Sequence, residues 1–186
     1  MPTTMDRDTA LNLLKSNVKN KNLVKHCLAC EAVLGALAGR LGEDEATWRL
    51  AGLLHDVDYD QTADSPDDHA RIGGRILEEA GLDSAVVHAV LAHNDKVSRD
   101  SNLDKALWCT DPLTGLIVAA ALIRSEKKLS AIDAQFVLNR MKEKSFARGA
   151  NRDQIRACEQ ELGLTLDEFV GIGVKAMQDI SDDLGL

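Results

Sequence analysis

The chain has 186 residues and a mass of 20.2 kDa, with 45% hydrophobic and 28% charged side chains, enough apolar material for one folded domain and too much for wholesale disorder. A formal net charge of −8 and only six aromatic residues argue against a polypeptide built to wrap nucleic acid or to stack bases. The longest apolar run, Leu116 to Ile123, is eight residues where a membrane helix needs about 20, no secretory pattern opens the chain, and four cysteines then read as free thiols of a cytoplasmic protein.

Nearly every segment reads as helix, and no alternating run of β-branched or aromatic residues suggests a strand. Helices are predicted over about 7–17, 21–41 and 44–56. The next, 66–80, has Ser65 as N-cap, Pro66 at its first position and Asp67 and Asp68 in its first turn. A helix over 83–94 follows, then 103–110 and 113–127. Pro112 lies between those two, so a single kinked helix is the alternative. Ser130 is the expected cap of 131–147 and Asn151 of 151–162. Thr165 and Glu168 form the ends of a capping box that opens 166–184. Glycines 42, 81, 149, 163 and 185 fall where these helices should stop. The expected architecture is an all-α bundle over 1–127 with a C-terminal helical extension, 128–186, packed on it as part of one unit.

Charge is unevenly distributed. Residues 124–156 hold nine Lys and Arg against four acids, a local +5 that leaves −13 on the remainder. Such a stretch is either a solvated helix face or a clamp for an anion.

All five histidines fall between residues 26 and 93. His26 lies inside the apolar helix NLVKHCLACEAVLGAL, and His55 closes LAGLLHD and is followed by Asp56. His69 opens HARIGGRIL, and His93 ends AVVHAVLAH. Asp111 interrupts ALWCTDPLTGLIVAAALI, the most apolar stretch of the chain. An imidazole or carboxylate set in apolar helix is costly without a partner. A metal ion is the partner that satisfies several of them together, and helical bundles commonly hold such sites between facing helices.

The order His26, His55-Asp56, His69, His93, Asp111, with spacings of 29, 14, 24 and 18 residues, resembles the HD-domain metal-dependent phosphohydrolases over about residues 21–127. LLHDVDYD looks like that family's signature doublet, and HARIGGRIL is similar to its next helix. The resemblance implies an HD-like helical bundle in which His26, His55, Asp56 and Asp111 bind one metal. Asp56 then bridges to a second metal held by His69 and His93, with His55 and Asp56 at the catalytic centre. The ions expected are one or two of Mn, Fe, Ni, Co, Zn or Mg. Two such ions roughly 3.5–4 Å apart activate a water for in-line attack on phosphorus, and no nucleophilic side chain is called for. One departure is that Asp58 stands where some members carry glycine.

Other motifs have plainer readings. His88 is five residues before His93 and so points about 140° away on one helix, which makes it structural or superficial. Cys27 and Cys30 form a Cys-x-x-Cys pair with no second pair, best read as apolar packing. Asp58 and Asp60 are either supports behind a ligand or loop acids. Gly73-Gly74 permits close helix packing. Lys144 and Arg148 are expected to hold non-reacting phosphates of the substrate. The predicted activity is hydrolysis of a phosphoester in a small phosphorylated metabolite, a nucleotide foremost, with no nucleic-acid polymer and no membrane as partner. The rivals are a ligand-sensing or scaffold module that keeps the metal site, and an oxygenase with a mixed-valent iron pair.

Overall fold

The computed structural model describes residues 5–186, which form twelve α-helices and no strand. In chain order they are α1 (Arg7–Asn17), α2 (Lys21–Leu41), α3 (Glu45–Leu54), α4 (Tyr59–Thr62), α5 (Arg71–Glu79), α6 (Ser84–His93) and α7 (Asn102–Leu122). A single 3-10 turn, Leu129–Ala131, leads to α8 (Ala134–Met141), α9 (Arg152–Arg156), α10 (Cys158–Leu162), α11 (Leu166–Asp179) and α12 (Ser181–Leu184). The all-α expectation is met.

Local chemistry fixes most of the helix starts. Asp6, Asn20, Asp44, Asp83, Asp133, Asn151 and Thr165 each accept a backbone N–H of the first turn they precede, satisfying donors that a helix leaves unpaired. Ser101 and Asp104 make a reciprocal capping box at α7. At α11 only the Thr165 half is formed, because Glu168 pairs instead with Arg40 at 2.6 Å. Gly42, Gly163 and Gly185 end helices in left-handed backbone.

The two 21-residue helices, α2 and α7, form the spine. Leu34 and Leu37 of α2 and Leu113, Leu116 and Ile117 of α7 are fully buried, each worth about 1.5–3 kcal/mol of apolar transfer. α2 and α3 pack backbone to backbone: a Cβ on Gly52 would lie 2.7 Å from the Cys30 carbonyl, so only glycine allows the approach. On the other side, Phe169, Val170 and Met177 of α11 are fully buried, and Gly173 lets Leu113 and Ile117 of α7 come close. Gln178 of α11 donates to the carbonyls of Leu129 and Ile132. The residues beyond 127 thus share the core of those before it. α7 is long and apolar enough to cross a membrane by length and composition, and more than half of it is buried inside the bundle.

Several boundaries differ from expectation, each for a physical reason. The chain over 63–70 is turns, and α5 begins at Arg71 after Ala70 in left-handed backbone (φ 67°), so Ser65 and Pro66 open no helix. α4 was not anticipated. Residues 102–122 run as one helix through Pro112. Asp133, not Ser130, caps α8. That helix ends at Met141, well short of 147, because the Arg152 guanidinium captures the carbonyls of Phe146, Ala147 and Ala150. The left-handed residue of that turn is Ala147, with φ 43°, not Gly149. The helices predicted over 151–162 and 166–184 are interrupted after Arg156 and Asp179.

Candidate metal centre

Five segments bring side chains to one point between α2, α3, α5, α6 and α7. His26 lies in the second turn of α2. His55 follows α3 directly and Asp56 comes next, in the turn before α4. His69 precedes α5, His93 is the last residue of α6, and Asp111 is in the middle of α7. The left-handed Ala70, fully buried beside His69, is a strained conformation of order 1–3 kcal/mol that turns the chain so that His69 faces inward.

The four imidazoles converge through their Nε2 atoms, and the Asp56 carboxylate divides them into two halves. Its Oδ2 lies 3.7 Å from His26 Nε2 and 3.5 Å from His55 Nε2. Its Oδ1 lies 3.3 Å from His69 Nε2 and 3.6 Å from His93 Nε2. Asp111 Oδ1 joins the first half, 3.0 Å from His26 Nε2 and 3.8 Å from His55 Nε2. His26 and His55 Nε2 are 3.1 Å apart. The side chains of His55 and His93 are 0% and 2% exposed and form the floor, while His26 at 22% and Asp111 at 33% form an open rim. A ligand therefore approaches over His26 and Asp111.

The other ring nitrogen of each histidine is engaged. His55 Nδ1 donates to the Gly52 carbonyl at 2.8 Å and His93 Nδ1 to the Val90 carbonyl at 2.5 Å. His69 Nδ1 donates to Asp58 Oδ1 at 2.9 Å. His26 Nδ1 donates to the Thr114 hydroxyl at 3.0 Å, which in turn donates to the Asp111 carbonyl. With the proton fixed on Nδ1, each Nε2 lone pair points at the shared space. This outer support is what orients metal-bound histidine, and the donor set can hold a metal ion.

Electrostatics agree. Burial alone would lower the pKa of His55, but the neighbouring Asp56 carboxylate pushes it up to about 10. His69 is likewise pushed up to about 9 by Asp56 and Asp58 against the effect of burial. Burial opposes ionisation of Asp56, yet the charge of His55 and hydrogen bonds from His69 and His93 hold it well below the ordinary carboxylate range. Asp111 is held low by His26 and His55 in the same way. Without an ion, protons on the imidazoles offset the buried carboxylates.

All six predicted ligand positions, His26, His55, Asp56, His69, His93 and Asp111, thus lie in one cluster. Lys144 and Arg148 do not join it: they are exposed in the α8–α9 connection and line a groove with Lys142 and with Arg152 and Arg156 of α9. Among the described residues no hydrogen bond or ion pair links them to the cluster. His88 is turned away and donates to Asp104 at the start of α7. Asp58 and Asp60 separate cleanly. Asp58 is fully buried and also accepts the Gly73 N–H at 2.7 Å, with Gly73 leaving its carboxylate room. Asp60 is exposed and accepts the Lys19 N–H at 2.6 Å. Sequence reasoning did not single out Thr114, and it read Cys30 as apolar packing. Their signals were present, since Thr114 is three residues from Asp111 and Cys30 one helical turn from His26.

A family model described as HD domain matches residues 23–141. Ribonuclease Y of Oleidesulfovibrio alaskensis is 31% identical over 96 residues, 52% of this chain and 18% of that protein. Ribonuclease Y 2 of Levilactobacillus brevis is 30% identical over 95 residues, 51% of this chain and 18% of its own. Ribonuclease Y of Geobacter sulfurreducens is 29% identical over 96 residues and is again covered over 18% of its length. The chain thus spans less than a fifth of the curated relatives it matches. No solved structure matches it.

Proposed function

The chain belongs to the HD-domain family, and from that premise we propose that it is a metal-dependent phosphohydrolase that hydrolyses a phosphoester of a small phosphorylated metabolite, a nucleotide foremost. The observation that carries this reading is the divided Asp56 carboxylate, with one oxygen facing His26 and His55 and the other facing His69 and His93. Four neutral imidazoles and two carboxylates bring a formal charge of about −2 to the centre, which leaves two divalent ions under-neutralised and attractive to phosphate. Such ions, when bound, supply Lewis acidity and an acidified water as nucleophile.

The protein's own groups do the rest. Asp58, Thr114 and the Gly52 and Val90 carbonyls fix four imidazole tautomers, so no donor has to reorganise as charge develops on phosphorus. The Thr114 hydroxyl, held between His26 and the Asp111 carbonyl, is not free to attack. Lys144 and Arg148 serve as contacts for distal phosphates in this reading. It is supported by the groove that they line together with Lys142, Arg152 and Arg156.

A second reading follows from the relatives, which are named ribonucleases: the same centre cleaves RNA. One experiment separates the two. Metal content is measured by elemental analysis, and activity is followed on generic phosphate mono- and diesters, nucleotides and a labelled RNA oligomer. The expected result is turnover of small phosphoesters that disappears, together with bound metal, in His26→Ala and Asp56→Ala. RNA cleavage alone establishes the second reading. Full activity in metal-free Asp56→Ala protein overturns both, and a metal-binding but inert protein leaves the sensor or scaffold role.

A further inference from the structure

Cys30 is fully buried in α2, one turn after His26. Its Sγ lies 3.9 Å from His26 Nε2. With one donor atom each from His26, His55 and Asp111 it forms a set in which all atoms are within 4.8 Å of one another. Its remaining polar neighbour is the Thr114 hydroxyl at 3.8 Å, which already donates to the Asp111 carbonyl and accepts from His26. The thiol therefore has only long contacts within the protein, and it faces the space that three metal donors share.

The distances suit coordination. Bonds of about 2.0–2.1 Å to imidazole nitrogen and about 2.3 Å to sulfur give a nitrogen–sulfur edge of about 3.6 Å at the tetrahedral angle. The observed 3.9 Å differs from that by a few tenths of an ångström. The neighbouring Cys27 is also buried, but its sulfur is absent from the donor set, which makes it the natural control.

We propose that Cys30 is a sulfur ligand of the ion held by His26, His55 and Asp111, so that this half of the centre is a nitrogen–oxygen–sulfur site while the His69–His93 half is purely nitrogen–oxygen. Binding breaks the S–H bond, forms a sulfur–metal bond and releases one proton to solvent. The inference rests on the metal-centre reading above. Its consequence is selectivity: a thiolate favours zinc, cobalt(II) or iron(II) over the oxygen-preferring manganese and magnesium, so the two halves of one centre differ in preference.

The test uses the full chain loaded with cobalt(II). The expected result is a thiolate-to-cobalt charge-transfer absorption in the near ultraviolet, present in the unmodified protein and in Cys27→Ser and absent from Cys30→Ser. The zinc-over-manganese affinity ratio should fall about tenfold or more in Cys30→Ala. Circular dichroism checks that each variant is folded, and if Cys30 variants fail to fold, a band that persists in Cys27→Ser supports the inference and one that is lost there overturns it. Bound cobalt with no sulfur band overturns the inference but leaves the metal centre standing. A band that persists in Cys30→Ser also overturns it, and a chain that takes up no cobalt overturns both readings.

Discussion

Asp58 touches the candidate metal centre only through His69, yet it does two things there: it fixes the ring's proton on Nδ1 and makes Nε2 a stronger donor. Asparagine in its place keeps the shape but has one acceptor oxygen where Asp58 has two, so it can accept from only one of the His69 and Gly73 N–H groups and turns an NH2 donor on the other. Asp58→Asn should therefore weaken metal binding in the His69–His93 half by about 10–100-fold, read by competition with a chromophoric chelator, while the His26–His55 half keeps its affinity. Equal loss in both halves would mean that Asp58 merely supports the fold. The sequence alone does not separate Asp58 from Asp60, because both are acids two residues apart in one turn. What separates them is burial, which depends on Gly73, fifteen residues further on, giving the carboxylate room. Thr114 was not singled out, and Cys30 was read as packing, for a related reason: a small polar residue on an apolar helix face is indistinguishable by type from ordinary packing. The six side chains that cluster were legible because histidine and aspartate at apolar positions demand a partner.

At the level of elements, the continuity of α7 through Pro112 is the feature that sequence reasoning placed least well. Proline has no N–H for the carbonyl four residues back, here that of Trp108, and normally kinks a helix interior. In this protein the orphaned carbonyl accepts the side-chain amide of Gln154 from α9 at 2.5 Å, so the gap in the helix becomes the docking point of another element. That compensation is 46 residues away in sequence and cannot be read locally. Gln154→Ala should cost about 1–3 kcal/mol by leaving a carbonyl unpaired. In a Pro112→Ala background, where the backbone bond of α7 can reform, the same change should be nearly neutral, as chemical denaturation of the four proteins would show. Additive losses would mean that the two residues act separately. Caps were more legible, since Asn151 and Thr165 act within three residues of themselves. Ser65 and Ser130 failed because tertiary demands, the placing of His69 and the stronger acceptor Asp133, outweighed the local signal.

On the scale of the whole molecule, the C-terminal elements complete the core that carries the site. Removing 128–186 would strip Phe169, Val170, Gly173 and Met177 from the faces of α2 and α7. A chain ending at residue 127 should therefore lose its cooperative thermal transition, measurable by circular dichroism. The metal centre has an equally global signature. His55 and His69, held up to about 10 and about 9, bind protons more tightly in the folded chain than in the unfolded one, where imidazole sits near about 6.5. Their contribution to metal-free stability is full below about pH 6.5 and is lost as the pH rises through about 9–10. Asp56 and Asp111, held low, contribute above the ordinary carboxylate range near about 3.9 and lose that contribution as the pH falls. From these groups, metal-free protein is most stable between about pH 4 and pH 6.5. A metal ion competes with protons for the same Nε2 lone pairs, so its binding releases protons and strengthens as the pH rises. The rise in Tm on adding a fixed excess of zinc should therefore be larger at about pH 8 than at about pH 6, with proton release on loading measured in a weakly buffered titration. A gain that shrinks as the pH rises would place the bound ion on groups other than these imidazoles.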